Sequence, residues 1–295
     1  MSKSILILSN KSSGSSAVQR LLAQAAHLKC VEKTRHYENE SLYWVKAASI
    51  LKLPQQNMLD SEVPIPQAAA RQDLIQLLSD NLPNYTPPND DRTLIFEGWR
   101  HLCDRYEPVF LEKSPHHLLQ WSALELIVEC MERLENQVDF LLVGLVRNPL
   151  DTLYSAFRRW KTPPEALQYE WLKAYSNLRL LAEQVGDRLV IVRYEDLATS
   201  LAPLDPVFKF CGTPPAPDAR CLNRKSLLKW QEDPYFAFLL APEVIELAQD
   251  YGYTTAQLTN SPWRFWPQYR DLARSAHQST RWAKTLYFQM KLSKR

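Results

Sequence analysis

The sequence predicts an α/β fold with three layers, α/β/α, around a mostly parallel central sheet. Short apolar runs rich in β-branched residues recur along the chain and end in polar turns, as buried strands do. They occupy residues 5–9, 93–97, 109–112, 140–146 and 189–193. Longer segments of helical periodicity separate them, at residues 16–28, 66–81, 117–135, 150–160 and 165–185. Such an alternation is typical of parallel sheets that carry helices on both faces.

The composition is that of an ordinary globular protein. Of the 295 residues, 45% are hydrophobic and 23% are charged, which excludes a disordered, collagen-like or coiled-coil chain. The formal net charge is only +2, so nothing global indicates a nucleic-acid partner. The five cysteines show no CxxC or Cys/His spacing, which argues against a disulfide framework and structural zinc. We therefore expect a reducing, cytoplasmic location.

The sequence has two apolar stretches that could form a signal peptide or a membrane helix, and both are too short for that role. Residues 5–8 are too short for the core of a signal peptide, and a polar, serine-rich segment follows at once. The longest apolar run, residues 140–146, falls far short of the ~20 residues that a membrane helix needs. We expect no transmembrane segment.

The chain divides by composition into one α/β domain and a basic tail. We predict the domain over residues 1–260, with residues 30–92, which carry many prolines, as an insertion that caps the sheet. Residues 261–295 contain eight Lys and Arg but one acidic residue. Part of this tail has the spacing of an amphipathic helix. We expect this helix to dock on the domain, and the alternative is peripheral contact with an anionic membrane.

A candidate phosphate-binding loop follows the first strand. Residues 10–16, NKSSGSS, lie between that strand and a helical segment, so backbone N–H groups at the helix start would favour an anion. Gly14 permits close approach of the backbone, and Lys11 adds positive charge. Taken alone, the loop fits a serine-rich helix cap equally well. A standard ATP or GTP loop has Lys and Ser/Thr after its last glycine, whereas here Ser15 follows Gly14.

A second candidate anion site follows the strand at 140–146. The segment 147–155, RNPLDTLYS, begins with an arginine at the carboxyl edge of the predicted sheet, where ligands bind in open α/β folds. Ser155 falls two helical turns later, so an arginine fork and a hydroxyl can converge on one phosphate. The alternative is an ion pair between Arg147 and Asp151, with Ser155 as an ordinary helix residue.

Three of these elements, in this order, resemble the sulfotransferases that use 3′-phosphoadenosine-5′-phosphosulfate (PAPS). They are the Lys/Ser/Gly/Ser loop, the RNPxDxxxS segment, and RYEDL at residues 193–197. Residues 112–115, EKSP, are similar to a segment of several carbohydrate sulfotransferases. The resemblance covers about residues 3–253 and includes KW at 229–230 and YGY at 251–253. It implies a P-loop-like strand, loop and helix that bind a phosphosulfate.

The resemblance also implies where the donor binds. The 5′-phosphosulfate falls on Lys11, Ser12, Ser13, Gly14, Ser15 and Ser16. The 3′-phosphate falls on Arg147 and Ser155, and Tyr194 lies near the adenine. Arg224 and Lys225 supply a late basic contact.

Two lysines are candidates for stabilising the departing donor. Sulfuryl transfer needs the nucleophile and the leaving oxygen in line, and it needs stabilisation of the charge that develops. Lys11 stands three residues before Gly14, whereas the family commonly has its basic residue two positions before the glycine. Lys113 is therefore a second candidate. Lysines and N–H groups suffice for this chemistry, so no metal is expected.

Four side chains are candidates for a general base, which adds ~10²–10⁴-fold to such a reaction. They are Glu112, His116, His117 and His36. His116 is one residue past the position of the catalytic histidine in cytosolic members of the family. Residues 33–38 resemble the segment that carries a catalytic glutamate in heparan-type members, but Thr34 stands at that position, so His36 or Glu38 would substitute. The structural alternatives are an ion pair of Glu112 with Lys113 or Arg100 and a helix-capping role for the histidines.

The resemblance implies transfer of a sulfuryl group from PAPS to a hydroxyl or an amine, by in-line displacement that releases adenosine 3′,5′-bisphosphate. The acceptor is a carbohydrate, a lipid or a small metabolite. Aromatic residues of the cap region either stack on this acceptor or belong to the core: Tyr43, Trp44, Trp99 and Tyr106. Two alternatives remain, a divergent P-loop kinase or hydrolase and a catalytically inactive nucleotide-binding protein on the same scaffold.

Overall fold

The computed structural model describes residues 1–36, 38–233, 236 and 238–260. Within them, four strands form one sheet in the order β2-β1-β3-β4, and every neighbouring pair is parallel. The strands are β1 (Ser2–Ser9), β2 (Val109–Lys113), β3 (Val138–Val146) and β4 (Leu189–Arg193). The predicted fold class is confirmed, because the connections between these strands carry helices on both faces of the sheet.

The helices are α1 (Ser15–Ala25), α2 (Tyr43–Ile50), α3 (Gln67–Asn81), α4 (Asp91–Arg105), α5 (Trp121–Arg133), α6 (Pro149–Trp160), α7 (Pro164–Val185), α8 (Tyr194–Leu197), α9 (Asp205–Cys211), α10 (Pro242–Asp250) and α11 (Thr255–Leu258). Short 3₁₀ turns lie at Gly186–Arg188, Ala202–Leu204, Arg224–Ser226 and Lys229–Gln231. Alternate residues of β1 enter two different cores, Leu6 and Leu8 on one face and Ile5 and Ile7 on the other. This period of two confirms the three layers.

One of the five predicted strands is wrong. Residues 93–97 lie inside α4, which starts where Asp90 accepts a hydrogen bond from the N–H of Thr93 at 2.7 Å. The helix packs against β1, β2 and α3. Its buried residues recur at helical spacing over the whole element, at 94, 95, 98, 99, 102 and 103. The run 93–97 spans little more than one helical turn, so taken alone it has the same pattern as a short buried strand.

The aromatic residues of the cap region form part of the core. Tyr43, Trp44, Trp99 and Tyr106 are at most 3% exposed. Ring centroids of Tyr43, Trp44 and Trp99 lie 4.8–5.2 Å apart, and the Tyr43 hydroxyl donates to the carbonyl of Ile95 at 2.6 Å. The core interpretation of these side chains is therefore the right one. The division of the chain at residue 260 stays a prediction, and the basic tail, 261–295, lies outside the described residues.

Two further observations concern the cysteines and the lengths of the helices. All five cysteines belong to the described part of the chain and are free thiols. Among the described residues, no helix has both the length and the apolar character that crossing a bilayer requires.

The parallel sheet brings the motifs together at one edge. In the strand register Ile7 pairs with Lys113, and Ser9 pairs with Leu145. The loop after β1, the EKSP segment and the RNPxDxxxS segment therefore all begin at the carboxyl ends of adjacent strands, where open α/β sheets bind ligands.

Candidate active site

The loop after β1 bends tightly into the start of α1. Ser12 has φ 64° and Gly14 has φ 90°, and the N–H of Ser13 donates to the carbonyl of Asn10 at 3.3 Å. No side chain of the described residues caps the N-terminus of α1. Backbone N–H groups and the helix dipole are thus directed at the space beyond the loop, which suits an anion.

Gly14 is required by its environment. A Cβ atom at this position would lie 2.4 Å from Cε2 of Tyr194, and the positive φ disfavours other residues independently. Tyr194 is buried beneath the loop, and its hydroxyl lies 3.0 Å from Oγ of Ser226. In this structure Tyr194 supports the loop from below. Its predicted contact with adenine stays a prediction.

Arg147 extends from the end of β3 towards the same loop. Its Nη1 donates to the carbonyl of Ser12 at 3.2 Å, and its Nη2 donates to that of Ser226 at 2.8 Å. The guanidinium lies 4.7 Å from the ring centroid of Tyr194, and Arg147 is 5% exposed. Its Nε is buried without a hydrogen-bond partner among the described residues. The alternative in which Arg147 pairs with Asp151 has no direct ion pair in this structure.

One cavity of about 820 Å³ joins the two candidate anion sites. Its lining includes most of the predicted donor-binding residues: Lys11, Ser12, Gly14, Ser15, Ser16, Arg147 and Ser155. Ser13 instead turns its hydroxyl inward, 2.9 Å from that of Tyr175. The structure thus brings residues more than 130 positions apart in the sequence around one space, as the contact between Arg147 and Ser12 shows.

Lys11 lines the cavity, but its ammonium group is bound to backbone carbonyls at one side of the cavity. Its Nζ donates to the carbonyls of Leu59 and Asp60 at 2.7 and 2.8 Å. Burial lowers the pKa of Lys11 although Glu170 and Asp60 oppose that shift. In this structure Lys11 ties the phosphate loop to the proline-rich segment around residue 60.

Lys113 lies directly behind the loop. It is buried, and its Nζ donates to Oε1 of Glu40 at 2.8 Å and to Oγ of Ser16 at 3.1 Å. A third contact reaches the carbonyl of Glu38 at 3.4 Å. Lys113 is not among the described residues that line the cavity, but Ser16, Glu38 and Glu40 are. Its positive charge therefore lies one side chain below the cavity floor.

Glu40 is the functional candidate that the sequence analysis missed. Its carboxylate lines the cavity and lies 3.3 Å from Nδ1 of His116 and 3.6 Å from Nδ1 of His36, besides its contact with Lys113. Burial raises the pKa of Glu40, but the nearby His116 and the charge of Lys113 outweigh it and bring the pKa to about 2. Glu40 is thus an ionised carboxylate at the wall of a cavity.

Two of the predicted bases reach the cavity and two do not. His36 and His116 line it, and their rings meet edge to face at 6.0 Å. Burial lowers the pKa of His36. Glu112 and His117 are fully buried, 3.4 Å apart, and neither is among the described residues that line the cavity. Glu112 has no access to an acceptor there, so Glu40 replaces it as the carboxylate candidate.

The remaining predicted residues lie beside the cavity rather than in it. Arg224 donates from Nε to the carbonyl of Ala198 at 3.0 Å, and Lys225 is exposed. Their turn touches the site through Ser226, which contacts both Arg147 and Tyr194. The late basic contact therefore stays a prediction. The alternative pairing of Glu112 with Arg100 is wrong, because Arg100 pairs with two carboxylates of its own helix.

The fold and this cavity define an α/β protein with a glycine-containing strand–loop–helix and a candidate anion site at the carboxyl edge of its sheet. The model of the sulfotransferase family matches residues 4–218, so the chain belongs to the sulfotransferase family. Its members are transferases that move sulfuryl groups. No curated protein sequence matches the chain.

Two solved structures resemble the chain over most of their length. The sulfotransferase domain from the Synechococcus PCC 7002 olefin synthase has a TM-score of 0.55 and 20% identity, covering 85% of this chain and 95% of that one. The sulfotransferase domain from the curacin biosynthetic pathway has a TM-score of 0.57 and 19% identity, covering 86% and 99%. At this identity the likeness concerns the fold.

Proposed function

We propose that this protein is a PAPS-dependent sulfotransferase that modifies a hydroxyl group of a polar acceptor. The observation that carries the proposal is the single cavity that joins the loop at 10–16, the pair Arg147 and Ser155, and the ionised Glu40. A donor with a phosphosulfate at one end and a separate phosphate matches the first two sites. The third supplies a proton acceptor beside them.

The residues present fit such a donor. Gly14 leaves no room for a side chain, so only the backbone approaches the ligand there. The buried Nε of Arg147 lacks a partner among the described residues, and a phosphate oxygen would satisfy it with a charge-assisted hydrogen bond. When bound, PAPS supplies the activated sulfuryl group.

Each residue then has a defined task. The N–H groups and hydroxyls of Ser15 and Ser16 hold the phosphosulfate, and Arg147 with Ser155 holds the 3′-phosphate. Lys113, 3.1 Å from Ser16, stabilises the electron pair that stays on the departing bisphosphate when the bond from its oxygen to sulfur breaks. Glu40 accepts the proton of the acceptor hydroxyl as the acceptor oxygen bonds to sulfur.

The neighbours of Glu40 decide how it can take part in this proton transfer. With a pKa of about 2, its carboxylate is ionised throughout the neutral range, but so low a pKa also makes it a weak base that must pass the proton on. His116 at 3.3 Å and His36 at 3.6 Å lie next to it, so the proton has an onward path to an imidazole.

The wall beyond Glu40 favours a hydroxyl-rich acceptor such as a carbohydrate. Arg35, Lys46, Glu62 and Asp73 line this part, and the Arg35 guanidinium lies 3.0 Å from the Asp73 carboxylate. Lys46 is 8% exposed, and burial lowers its pKa. Charges of both signs offer donors and acceptors to several hydroxyl groups, whereas a large apolar acceptor would desolvate them.

The five free thiols support the reducing, cytoplasmic location that we retain in the proposal.

Isothermal titration with adenosine 3′,5′-bisphosphate, beside ATP with Mg²⁺, tests the donor assignment. We expect micromolar binding of the bisphosphate, lost in Arg147→Ala. Binding of ATP with Mg²⁺ and indifference to the bisphosphate would overturn the proposal. Incubation with PAPS and a panel of saccharides and phenols, followed by mass spectrometry, then tests transfer. Tight binding with no transfer to any member of the panel would instead support a catalytically inactive protein.

A further inference from the structure

We propose that Ser41, Glu112 and Ser114 form a buried clamp that positions the catalytic carboxylate of Glu40. The inference rests on the proposed function, because it assigns positioning residues to the same transfer. It gives Glu112, which the cavity does not reach, a role in catalysis through another residue.

The clamp centres on one oxygen. Oε1 of Glu112 accepts hydrogen bonds from Oγ of Ser41 at 2.6 Å and from Oγ of Ser114 at 2.5 Å. All three residues are at most 2% exposed. Burial raises the pKa of Glu112, but the charge of His117 and these hydroxyls lower it below its usual value. A buried carboxylate kept ionised in this way makes strong hydrogen bonds with little competition from water.

The same atoms hold the backbone next to Glu40. Oγ of Ser114 also accepts from the N–H of Leu42 at 3.0 Å, and Oγ of Ser41 accepts from the N–H of Tyr43 at 3.2 Å. The ammonium of Lys46 donates to the carbonyl of Ser41 at 2.9 Å. Together with the hydrogen bond from Ser41 to Glu112, these three contacts fix Ser41 and Leu42, the two residues that follow Glu40.

This backbone needs support because it is strained. Leu42 has φ 52° and ψ 27°, the left-handed region, which is unfavourable for a residue with a Cβ atom. The hydrogen bond from its N–H to Ser114 holds it there. Without the clamp, the chain would relax towards an ordinary conformation, and the direction of the preceding side chain would change with it.

The clamp and the catalytic pair lie side by side in the sequence. Glu112 holds Ser41, and the next residue of the strand, Lys113, holds Glu40. A shift at residue 41 is therefore transmitted directly to the carboxylate that contacts Lys113 and His116. Misplacement of a catalytic group by about 1 Å can cost on the order of 100-fold in rate.

Ser41→Ala tests the clamp, with Ser122→Ala as the matched control. Ser122 is also a buried serine that donates one hydrogen bond, to the carbonyl of Pro54 at 2.7 Å, but it lies outside the clamp. We expect Ser41→Ala to lower kcat at least tenfold, with the KM for PAPS and the Kd for the bisphosphate within twofold of wild type. Ser122→Ala should leave kcat within twofold. Ser41→Thr, which keeps the hydroxyl, should recover at least half of the lost kcat.

A wild-type kcat in Ser41→Ala, an equal loss in Ser122→Ala, or a parallel loss of bisphosphate affinity would overturn the clamp. Should Ser41→Ala fail to fold, Ser114→Ala removes the other hydroxyl and must show the same split between kcat and Kd. A crystal structure of the variant provides a readout that does not depend on activity. We expect the Glu40 carboxylate to leave Lys113 Nζ, and an unchanged separation of 2.8 Å would refute the proposal even if the wild type transferred no sulfuryl group.

Discussion

The two ends of the cavity are assembled in different ways. The end proposed to bind the donor consists of backbone N–H groups and short side chains from two continuous segments, residues 10–16 and 147–155. The end proposed to accept the proton consists of Glu40, Lys113 and His116, and the Glu40–Lys113 pair alone joins positions 73 residues apart. The first end depends on local backbone geometry. The second depends on opposite charges that only the folded chain brings into contact.

This difference predicts different responses to substitution. Changes at the donor end should act on affinity, because that end holds a ligand through N–H groups and one arginine fork. Changes at the Glu40 end should act on turnover, because it acts on charge and a proton during the reaction. Three sets of variants test this division, and a fourth substitution tests stability, from the largest expected effect to the smallest.

Glu40→Gln should have the largest effect. We expect kcat to fall by about 10²–10⁴-fold, because the amide cannot accept the acceptor's proton. The Kd for the bisphosphate, measured by titration, should stay within twofold of wild type. Glu125→Gln, an exposed carboxylate on α5, serves as control and should change neither quantity. A wild-type kcat in Glu40→Gln would remove the base assignment.

Arg147→Ala should weaken binding of the bisphosphate by roughly 10- to 100-fold. Hydrogen bonds to a charged group contribute about 1.5–3 kcal/mol, and the fork offers such bonds to the 3′-phosphate. Ser155→Ala, which removes a neutral hydroxyl, should have a smaller effect in the same direction. Titration at constant ionic strength measures both. Unchanged affinity in both variants would remove the 3′-phosphate assignment.

Gly14→Ala and Gly212→Ala separate backbone strain from steric exclusion. Both glycines have positive φ, but a Cβ at Gly14 lies 2.4 Å from the Tyr194 ring, whereas nothing lies within 4 Å of one at Gly212. We expect Gly212→Ala to lose about 1 kcal/mol of stability and no donor affinity. Gly14→Ala should lose at least tenfold in bisphosphate affinity, since the loop must move away from the ring. Equal behaviour of the two variants would contradict the steric argument at Gly14 and the role of its loop in donor binding.

Asp151→Asn should give the smallest effect, a change in the pH dependence of stability. Burial raises the pKa of Asp151 to about 6, although Arg147 opposes this, and its Oδ2 has no hydrogen-bond partner among the described residues. A raised pKa in the fold means that ionisation costs stability, increasingly as the pH rises from about 4 to 6. Asparagine keeps an oxygen for the N–H of Leu228, which Oδ1 accepts at 2.8 Å.

We therefore expect Asp151→Asn to be more stable than wild type by about 1–3 kcal/mol at pH 7.5, at about 1.4 kcal/mol per pKa unit. The difference should vanish near pH 4. Urea unfolding at the two pH values measures it. A difference that is equal at both pH values would show that ionisation of Asp151 does not contribute.

The strands that the sequence predicts correctly are short apolar runs that end in polar turns, such as β1 and β3. Among the helices, α1, α5 and α6 are buried along one face, which their apolar spacing indicates. The segment 93–97 is predicted wrongly because it spans little more than one helical turn, too short to show the helical spacing that the buried residues of α4 follow over its full length. A short apolar run does not distinguish a strand from a buried turn of helix, and here the packing of α4 against β1, β2 and α3 decides between them.

For the site, the sequence by itself determined the donor end. A loop with Gly14 between a strand and a helix, and an arginine at the end of a later strand, are local patterns whose chemistry follows from backbone geometry. The tertiary structure alone decided the other end. It places Glu40 at the cavity beside Lys113 and His116 and keeps Glu112 away from the cavity, and our proposal of Glu40 as the base rests on that placement. Such a cluster is defined by electrostatic contacts between distant segments, and these exist only once the chain has folded.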